Sequence, residues 1–400
     1  GYTGLATAYF LASEYQIDCV VLEANRVGWG ASGRNAGFAL QSTGRLSAAA
    51  MAKRWGEETA KGVLTEFRQG LDVVNEFLAL GDDPCDRTEE GFLKVAHSEK
   101  LVKPMREANE ASRQRFGTKS RFVPKEELWE RYVRSDGARA AIQFEDGFCL
   151  NPLKYAGVLS RLCQGKGVPI FEGTPVVKWS KEGAHHVLST PQARVRAKRV
   201  VTAGNAYTPK KFHPAINNRT LPVLTSVIVT DPVPGTGANE AGLKTHQGIM
   251  DTRKLKYYYR KLPDGRVLFG GRGAIRGKDA DNPLFKTRLL EALHRDFPSY
   301  QDIGIAYAWH GWITISLDDV PRVTATGDDP SIVYASGFSG CGMAYTSQAA
   351  KRLSEKIAGC DHAHDLPILT SDLKKFPLPW LKRLGQFGYY QYGRIHDWIL

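Results

Sequence analysis

Gly1-Tyr-Thr-Gly4, an apolar segment running to Glu14, then Asp18-Cys-Val-Val-Leu-Glu23 and Val27-Gly-Trp-Gly-Ala-Ser-Gly-Arg-Asn-Ala-Gly37 form the stretch that decides the fold. Leu5, Ala8, Tyr9, Leu11 and Ala12 recur close to a helical period. Ile17 to Leu22 is a nearly continuous apolar run, the pattern of a buried parallel strand, and it ends in the carboxylate of Glu23. Glycines, helix, strand and terminal acid in this order read as a dinucleotide-binding βαβ unit, whose fingerprint is G-x-G-x-x-G after a strand. The chain opens at what would be the second glycine, so a hydrophobic strand and the first glycine are expected upstream. Gly1 would admit a pyrophosphate close to the backbone, and Gly4 would let the helix pack close to the sheet. The helix N-terminus would supply N–H groups and the positive end of its dipole. Glu23 would accept hydrogen bonds from a ribose diol. Alone, Gly1-x-x-Gly4 reads as an ordinary helix start; the ordered set carries the argument.

Two glycine-rich turns sharpen this reading. Between Gly28 and Gly37 lie four glycines with Ser32 and Asn35. Such a loop brings backbone N–H groups and small side chains against a second anionic or planar group. A plain nicotinamide dehydrogenase needs no such loop there; the alternative is a flexible surface loop. Near the other end, the strand Ile332-Val-Tyr-Ala-Ser-Gly337 runs into Phe338-Ser-Gly-Cys-Gly-Met-Ala344 and a helix from Tyr345 to Ile357.

Composition bounds the class. The 400 residues are 42% hydrophobic and 24% charged, as in globular chains, and are long enough for two domains. Six cysteines form no CxxC pair and no zinc spacing, so no metal site is expected and reduced cytoplasmic thiols are. No run of eighteen apolar residues exists, and a signal peptide upstream stays open. The net charge of +12 is spread along the chain without a basic block, which favours anionic small ligands over nucleic acid.

Further along, residues 45–80 read as one or two helices, Glu90–His97 as a strand and 99–116 as a polar helix. Asn151-Pro152 is a helix start, a capping Asn before Pro at the first helical position. Ile170–Trp179 and Val195–Ala203 each read as one strand. Residues 255–271 form a hairpin about Pro263-Asp-Gly265, with Tyr257 and Tyr259 on one face and Tyr258 and Arg260 on the other. In the tail, Trp380, Leu384, Phe387, Ile395 and Trp398 recur at helical spacing with Lys382, Arg383 and Arg394 opposite. Docking on the protein itself is preferred to a membrane surface.

On Glu23–Gly37 the sequence resembles the D-amino-acid-oxidase-like FAD-dependent oxidoreductases of the glycine and sarcosine oxidase group. It is most similar to their γ-glutamylputrescine oxidoreductase branch, which usually has Gly-Gly where Ala36-Gly37 stands. The resemblance implies an α/β Rossmann-like FAD-binding domain, its first strand truncated, from residues 1–80, 150–220 and 318–375. It also implies an α+β substrate domain with a large antiparallel sheet from 81–149 and 221–317, leaving 376–400 as an amphipathic tail.

For FAD it implies contacts from Gly1, Thr3 and Gly4, then from Glu23, Ala24 and Arg26 at the ribose. The loop residues Gly30, Ala31, Ser32, Arg34, Asn35, Ala36 and Gly37 would follow. Val176 would face the adenine, with Ala203 and Gly204 near the nucleotide. Gly311 would stand beside the flavin, and the second turn would offer Ser339, Gly340, Gly342, Met343 and Ala344 to its pyrimidine end. A helix dipole aimed there stabilises the negative charge of reduced flavin. Cys341 stands where relatives often carry His, as a filler, a flavin neighbour or an attachment point. His310 departs from the branch's usual Trp-Gly-Gly.

The implied chemistry is oxidation of an amine C–N bond, with oxygen as the simplest acceptor. The substrate would be a small amine bearing a carboxylate, such as a γ-glutamyl amine or an N-alkyl amino acid. Arg272, just past Gly270-Gly271, is the first candidate to hold that carboxylate, because its fork is bidentate. Tyr258 follows, with Arg276 and His310 after it. Two alternatives stand: a dehydrogenase passing electrons to a quinone or partner protein, and a flavoprotein acting on RNA.

Overall fold

The computed structural model describes residues 1–41, 43–233, 242–360 and 365–400. The Tyr2–Glu14 helix buries Tyr2, Leu5, Ala6, Phe10 and Leu11 because it packs against both the Pro152–Gly165 and the Gly342–Ala358 helices. A helix apolar on most sides is a buried one. Leu5, Phe10, Leu71, Phe77, Phe148 and Leu159 close this core. The Pro152–Gly165 helix begins as its sequence dictates: Asn151 Oδ1 accepts from the backbone N–H of Leu153 at 3.1 Å and of Lys154 at 3.2 Å. Residues 45–80 fold as two helices, Ala48–Trp55 and Glu57–Leu80, broken at Gly56, whose φ is +88°.

The parallel strands beside this core are short. Val21–Leu22 pairs with Ile170–Phe171, and Val200–Thr202 pairs with Ile332–Ser336, which Arg322–Ala325 joins antiparallel. The two long strands expected from the sequence are each divided. After Phe171 the chain turns at Gly173 (φ +60°), held by Gly173 N–H to Asn25 O and Thr174 N–H to Glu23 O; Lys178–Glu182 then starts a separate antiparallel ribbon with His185–Ser189. Arg194–Ala197 completes that ribbon, and only Val200–Thr202 returns to the parallel layer. The apolar–basic alternation across Val195 to Ala203 therefore spans two sheets.

The large sheet has eight strands. Its order is Ile305–Ser316, Thr220–Thr230, Val267–Arg272, Tyr258–Lys261, Gly248–Asp251, Phe92–Ala96, Ala140–Phe144 and Ser120–Val123. Every pair is antiparallel except Gly248–Asp251 beside Phe92–Ala96, which is parallel. The sheet is mixed because its strands come from two separated segments that meet at that pair. The hairpin closes at Gly265, φ +80°, where Leu262 N–H donates to Arg266 O at 2.8 Å.

Side chains alternate across a strand. One face carries Leu93, Val95, Ile249, Tyr259 and Phe269 into a core with the Leu284–Asp296 helix. On the other, Ile142, Lys94, Met250, Tyr258, Gly270, Val227 and Trp309 stand in one row, each opposite the next in register. Arg272, Thr225 and Gly311 form the adjacent row on that face.

The tail helix, Lys382–Ile399, docks by its polar and small residues. Lys382 Nζ donates to Thr220 O and Arg383 to Pro222 O, while Asp397 accepts the N–H groups of Lys254 and Leu255. Gln386, Tyr390 and Gly393 are buried beneath it. The apolar stripe faces outward instead, with Trp398 85% and Trp380 76% exposed. Among the described residues, no helix is long and apolar enough to cross a membrane.

Candidate active site

A cavity of about 2870 Å³ is lined by the Tyr2–Glu14 helix, both glycine-rich turns and the Lys94–Tyr258 face of the large sheet. Two helix N-termini open on it, those of Tyr2–Glu14 and Gly342–Ala358, and neither has a side-chain cap. Apart from Tyr2 N–H, which Ser32 Oγ accepts, the N–H groups of these first turns have no intrahelical partner and can meet an anion. Gly4 lies so close to Ala203 that a Cβ there would stand 3.4 Å from the alanine Cβ.

The loop between Gly28 and Gly37 is held from within and from both sides. Asn35 Oδ1 accepts Gly37 N–H at 2.7 Å, and its amide nitrogen donates to the carbonyls of Ala31 and Ser32. Ser32 Oγ accepts Tyr2 N–H at 3.0 Å. Arg34 donates through Nε to Trp29 O at 2.6 Å and through Nη1 to His310 O at 3.2 Å. Gly37 has φ +78°, and a Cβ there would meet Leu150 O at 1.9 Å, so this turn admits only glycine.

Most residues expected at the cofactor line this cavity: Gly1, Thr3, Gly4, Glu23 and Ala24; Gly30, Ala31, Ser32, Arg34, Asn35 and Ala36; Val176, Ala203 and Gly204; Ser339, Gly340, Gly342 and Met343. Arg26, Gly37, Gly311 and Ala344 are not brought to its wall. Arg26 is exposed, Gly37 packs on Leu150, Gly311 lies behind Arg34, whose Cβ a side chain there would meet at 3.4 Å, and Ala344 is buried in the core. Arg272 and Tyr258 do line it. His310 does not: strand alternation turns it to the other face, where its Nδ1 is 3.6 Å from Asp281. Arg276 is exposed and likewise absent from the wall.

The second turn has positive φ at Gly337, Ser339 and Gly340. Ser339 N–H donates to Thr314 O at 2.9 Å, fastening the turn to the large sheet. Cys341 Sγ–H donates to Phe338 O, and burial pushes its thiol pKa far up, which makes it a poor nucleophile.

Several site residues escaped the sequence reading. Asn205 Oδ1 accepts from Thr314 Oγ1 at 2.6 Å and Ser336 Oγ at 2.9 Å, joining the parallel layer to the sheet. Phe92 stacks on Phe144, ring centroids 4.5 Å apart, and both line the cavity. Gly270 leaves room for the Tyr258 ring, which a Cβ would meet at 2.2 Å. Lys94 and Lys256 also line the wall. Burial, then the charges of Lys94 and Arg272, lowers Lys256 to about 8, and burial lowers Lys94. Lys94 is exposed to the water of the cavity while deep in the protein. The signal for it was its place between Leu93 and Val95, but alternation does not distinguish a cavity from bulk solvent.

Residues 1–356 match the family model described as FAD dependent oxidoreductase, and the chain belongs to that family. It is 30% identical over 379 residues to gamma-glutamylputrescine oxidoreductase of Escherichia coli (strain K12), covering 95% of this chain and 86% of that protein. It is 29% identical over 364 residues to the probable oxidoreductase OrdL of Haemophilus influenzae, covering 90% and 82%. Among solved structures, glycine oxidase from Geobacillus kaustophilus superposes with a TM-score of 0.75 at 16% identity, covering 94% of this chain and 96% of that one. L-proline dehydrogenase from P. horikoshii gives 0.70 at 16%, covering 97% and 96%. These two share the fold. FAD is the cofactor of the family, and the two helix N-termini and the glycine-tight loop fit a ligand with a pyrophosphate and a flat ring system.

Proposed function

We propose that this protein is an FAD-dependent oxidase of an amine C–N bond whose substrate carries a carboxylate. FAD, when bound, would supply the two-electron acceptor for the C–N bond, so that amine, water and oxygen would give a carbonyl compound, an amine and hydrogen peroxide overall. The chain's own part is placement. Arg272 would pair with the carboxylate through its bidentate fork. Tyr258, flat above Gly270, would wall the amine in and exclude water. The uncapped N-terminus at Gly342 would favour negative charge at the ring end nearest it.

One observation carries this reading: Arg272 and Tyr258 stand on the sheet face that lines the same cavity as the glycine-rich turns. The 30% identity to a gamma-glutamylputrescine oxidoreductase supports an amine as substrate. We propose the domain division accordingly, with 1–80, 150–220 and 318–375 holding FAD and 81–149 and 221–317 holding substrate. A second reading, transfer of electrons to a membrane quinone instead of oxygen, is favoured by the outward apolar stripe of the tail. The test is turnover with candidate amines in air and with a quinone analogue. Peroxide formed in step with amine consumed supports the oxidase. Amine consumed only with the quinone supports the dehydrogenase. No consumption under either condition sinks both.

A further inference from the structure

We propose that Lys94 and Lys256 form a second anion subsite beside Arg272, so that the substrate is an amine bearing two carboxylates. This rests on the cavity being the amine site. Lys94 stands in the row that includes Met250 and Tyr258, and Lys256 lies two residues before Tyr258. Arg272 is in the next row, two residues past Gly270. All three side chains line the cavity.

None of the three has an ion-pair or hydrogen-bond partner among the described residues. The acid that acts on Lys256, Asp251, is 1% exposed and already committed: it binds the Arg253 guanidinium and accepts the N–H groups of Arg253 and Tyr257, each at 3.1 Å. Arg45, the other cation acting on Lys256, is paired with Asp319 at 2.9 Å. Along this end of the cavity, from residue 40 to 146 and from 250 to 272, Asp146 is the sole acid among the described lining residues. Two ammonium groups that repel each other in a partly desolvated wall, with no carboxylate between them, are costly unless an anion fills the gap.

The spacing suits a small dicarboxylate. Neighbouring strands lie about 4.8 Å apart and residues about 3.4 Å along a strand, so Lys94 and Arg272, three strands and two residues apart, start roughly 16 Å from each other. Both long side chains line the cavity, which leaves room between their cationic ends for a ligand several ångströms long. Met250 lies between them, and the stacked Phe92–Phe144 pair adds an apolar wall for a short methylene chain.

The test uses the FAD-loaded full chain without turnover. Glutarate, its monocarboxylate counterpart pentanoate, and inorganic phosphate are each titrated, followed by the flavin visible spectrum and by calorimetry. The expected result is glutarate bound about tenfold or more tightly than either other anion. Lys94→Met and Lys256→Met should each erase that advantage and leave pentanoate unchanged, whereas Arg272→Met should weaken both carboxylates. Lys256→Arg should keep the advantage, which guards against a variant that merely folds badly. Equal affinities for glutarate and pentanoate, or lysine variants that leave glutarate unchanged or weaken both acids alike, would overturn the proposal. Phosphate bound as tightly as glutarate through the same lysines would overturn the dicarboxylate assignment. If no amine ever reduces the flavin, the oxidase reading fails while these titrations still decide the subsite.

Discussion

The indole Nε1 of Trp309 donates to the carbonyl oxygen of Arg34 at 2.8 Å, and Arg34 in turn donates to the carbonyl of His310 at 3.2 Å. The glycine loop and the edge strand of the large sheet therefore brace each other. The loop side of the cavity is thereby coupled to the sheet side. Replacing Trp309 by Phe removes the donor and leaves a part-buried carbonyl unmet, a loss of about 1–2 kcal/mol. We expect a lower melting temperature and less FAD retained per chain through gel filtration. Unchanged melting and full flavin content would show that this bond positions nothing.

Two glycines with nearly the same backbone angle should respond very differently. Gly37 (φ +78°) would place a Cβ 1.9 Å from Leu150 O, whereas Gly265 (φ +80°) has nothing within 4 Å. Gly265→Ala should cost only the left-handed strain, about 1 kcal/mol. Gly37→Ala must also move backbone and should abolish FAD retention. Thermal melts and flavin content of the two variants check this; equal behaviour would contradict the packing described at Leu150.

FAD should be held without a covalent bond at Cys341. Its thiol is buried, donates to Phe338 O and resists ionisation. Acid precipitation of the holoprotein should release the flavin into the supernatant, and Cys341→Ala should still bind FAD. Flavin that stays with the pellet in the parent and leaves it in Cys341→Ala would refute this.

Binding of anions should depend on pH through Lys256, lowered to about 8 by burial and by Lys94 and Arg272, against the opposing pull of Asp251 and with Arg45 adding to the lowering. Glutarate affinity should be steady well below pH 8 and fall as pH rises through it, with a proton taken up on binding near that pH. Stability of the ligand-free protein carries the other sign. The folded state holds this proton less tightly than the unfolded chain, so this group's penalty fades as pH climbs from about 8 towards the ordinary lysine value. Lys256→Arg should flatten the binding profile. A glutarate profile that is already flat in the parent would exclude Lys256 as the titrating group.

Local chemistry made parts of this fold legible in the sequence. The Asn151 cap, the hairpin at Gly265, the opposite faces of Tyr257 and Tyr258 and the two glycine turns all depend on residues close in the chain. Features set by residues distant in the chain are not written in the local sequence. Ile170–Trp179 divides because Glu23 and Asn25 capture Thr174 and Gly173. His310 points away from the cavity because register with Ser226 sets its face. The tail helix docks through Lys382 and Arg383, which donate to the backbone carbonyls of Thr220 and Pro222, and buries Gln386, Tyr390 and Gly393 instead of its apolar stripe. The place of Lys94 on the cavity wall depends on the segments that form the opposite side, which its own strand does not encode.

The most direct test of the central claim is the visible spectrum of the FAD-loaded protein, followed without oxygen as amines are added one at a time. The account predicts that an amine bearing a carboxylate bleaches the flavin, and that admitting air restores the colour with one peroxide formed per amine oxidised. A flavin that no such amine bleaches would leave the fold intact and contradict amine oxidation.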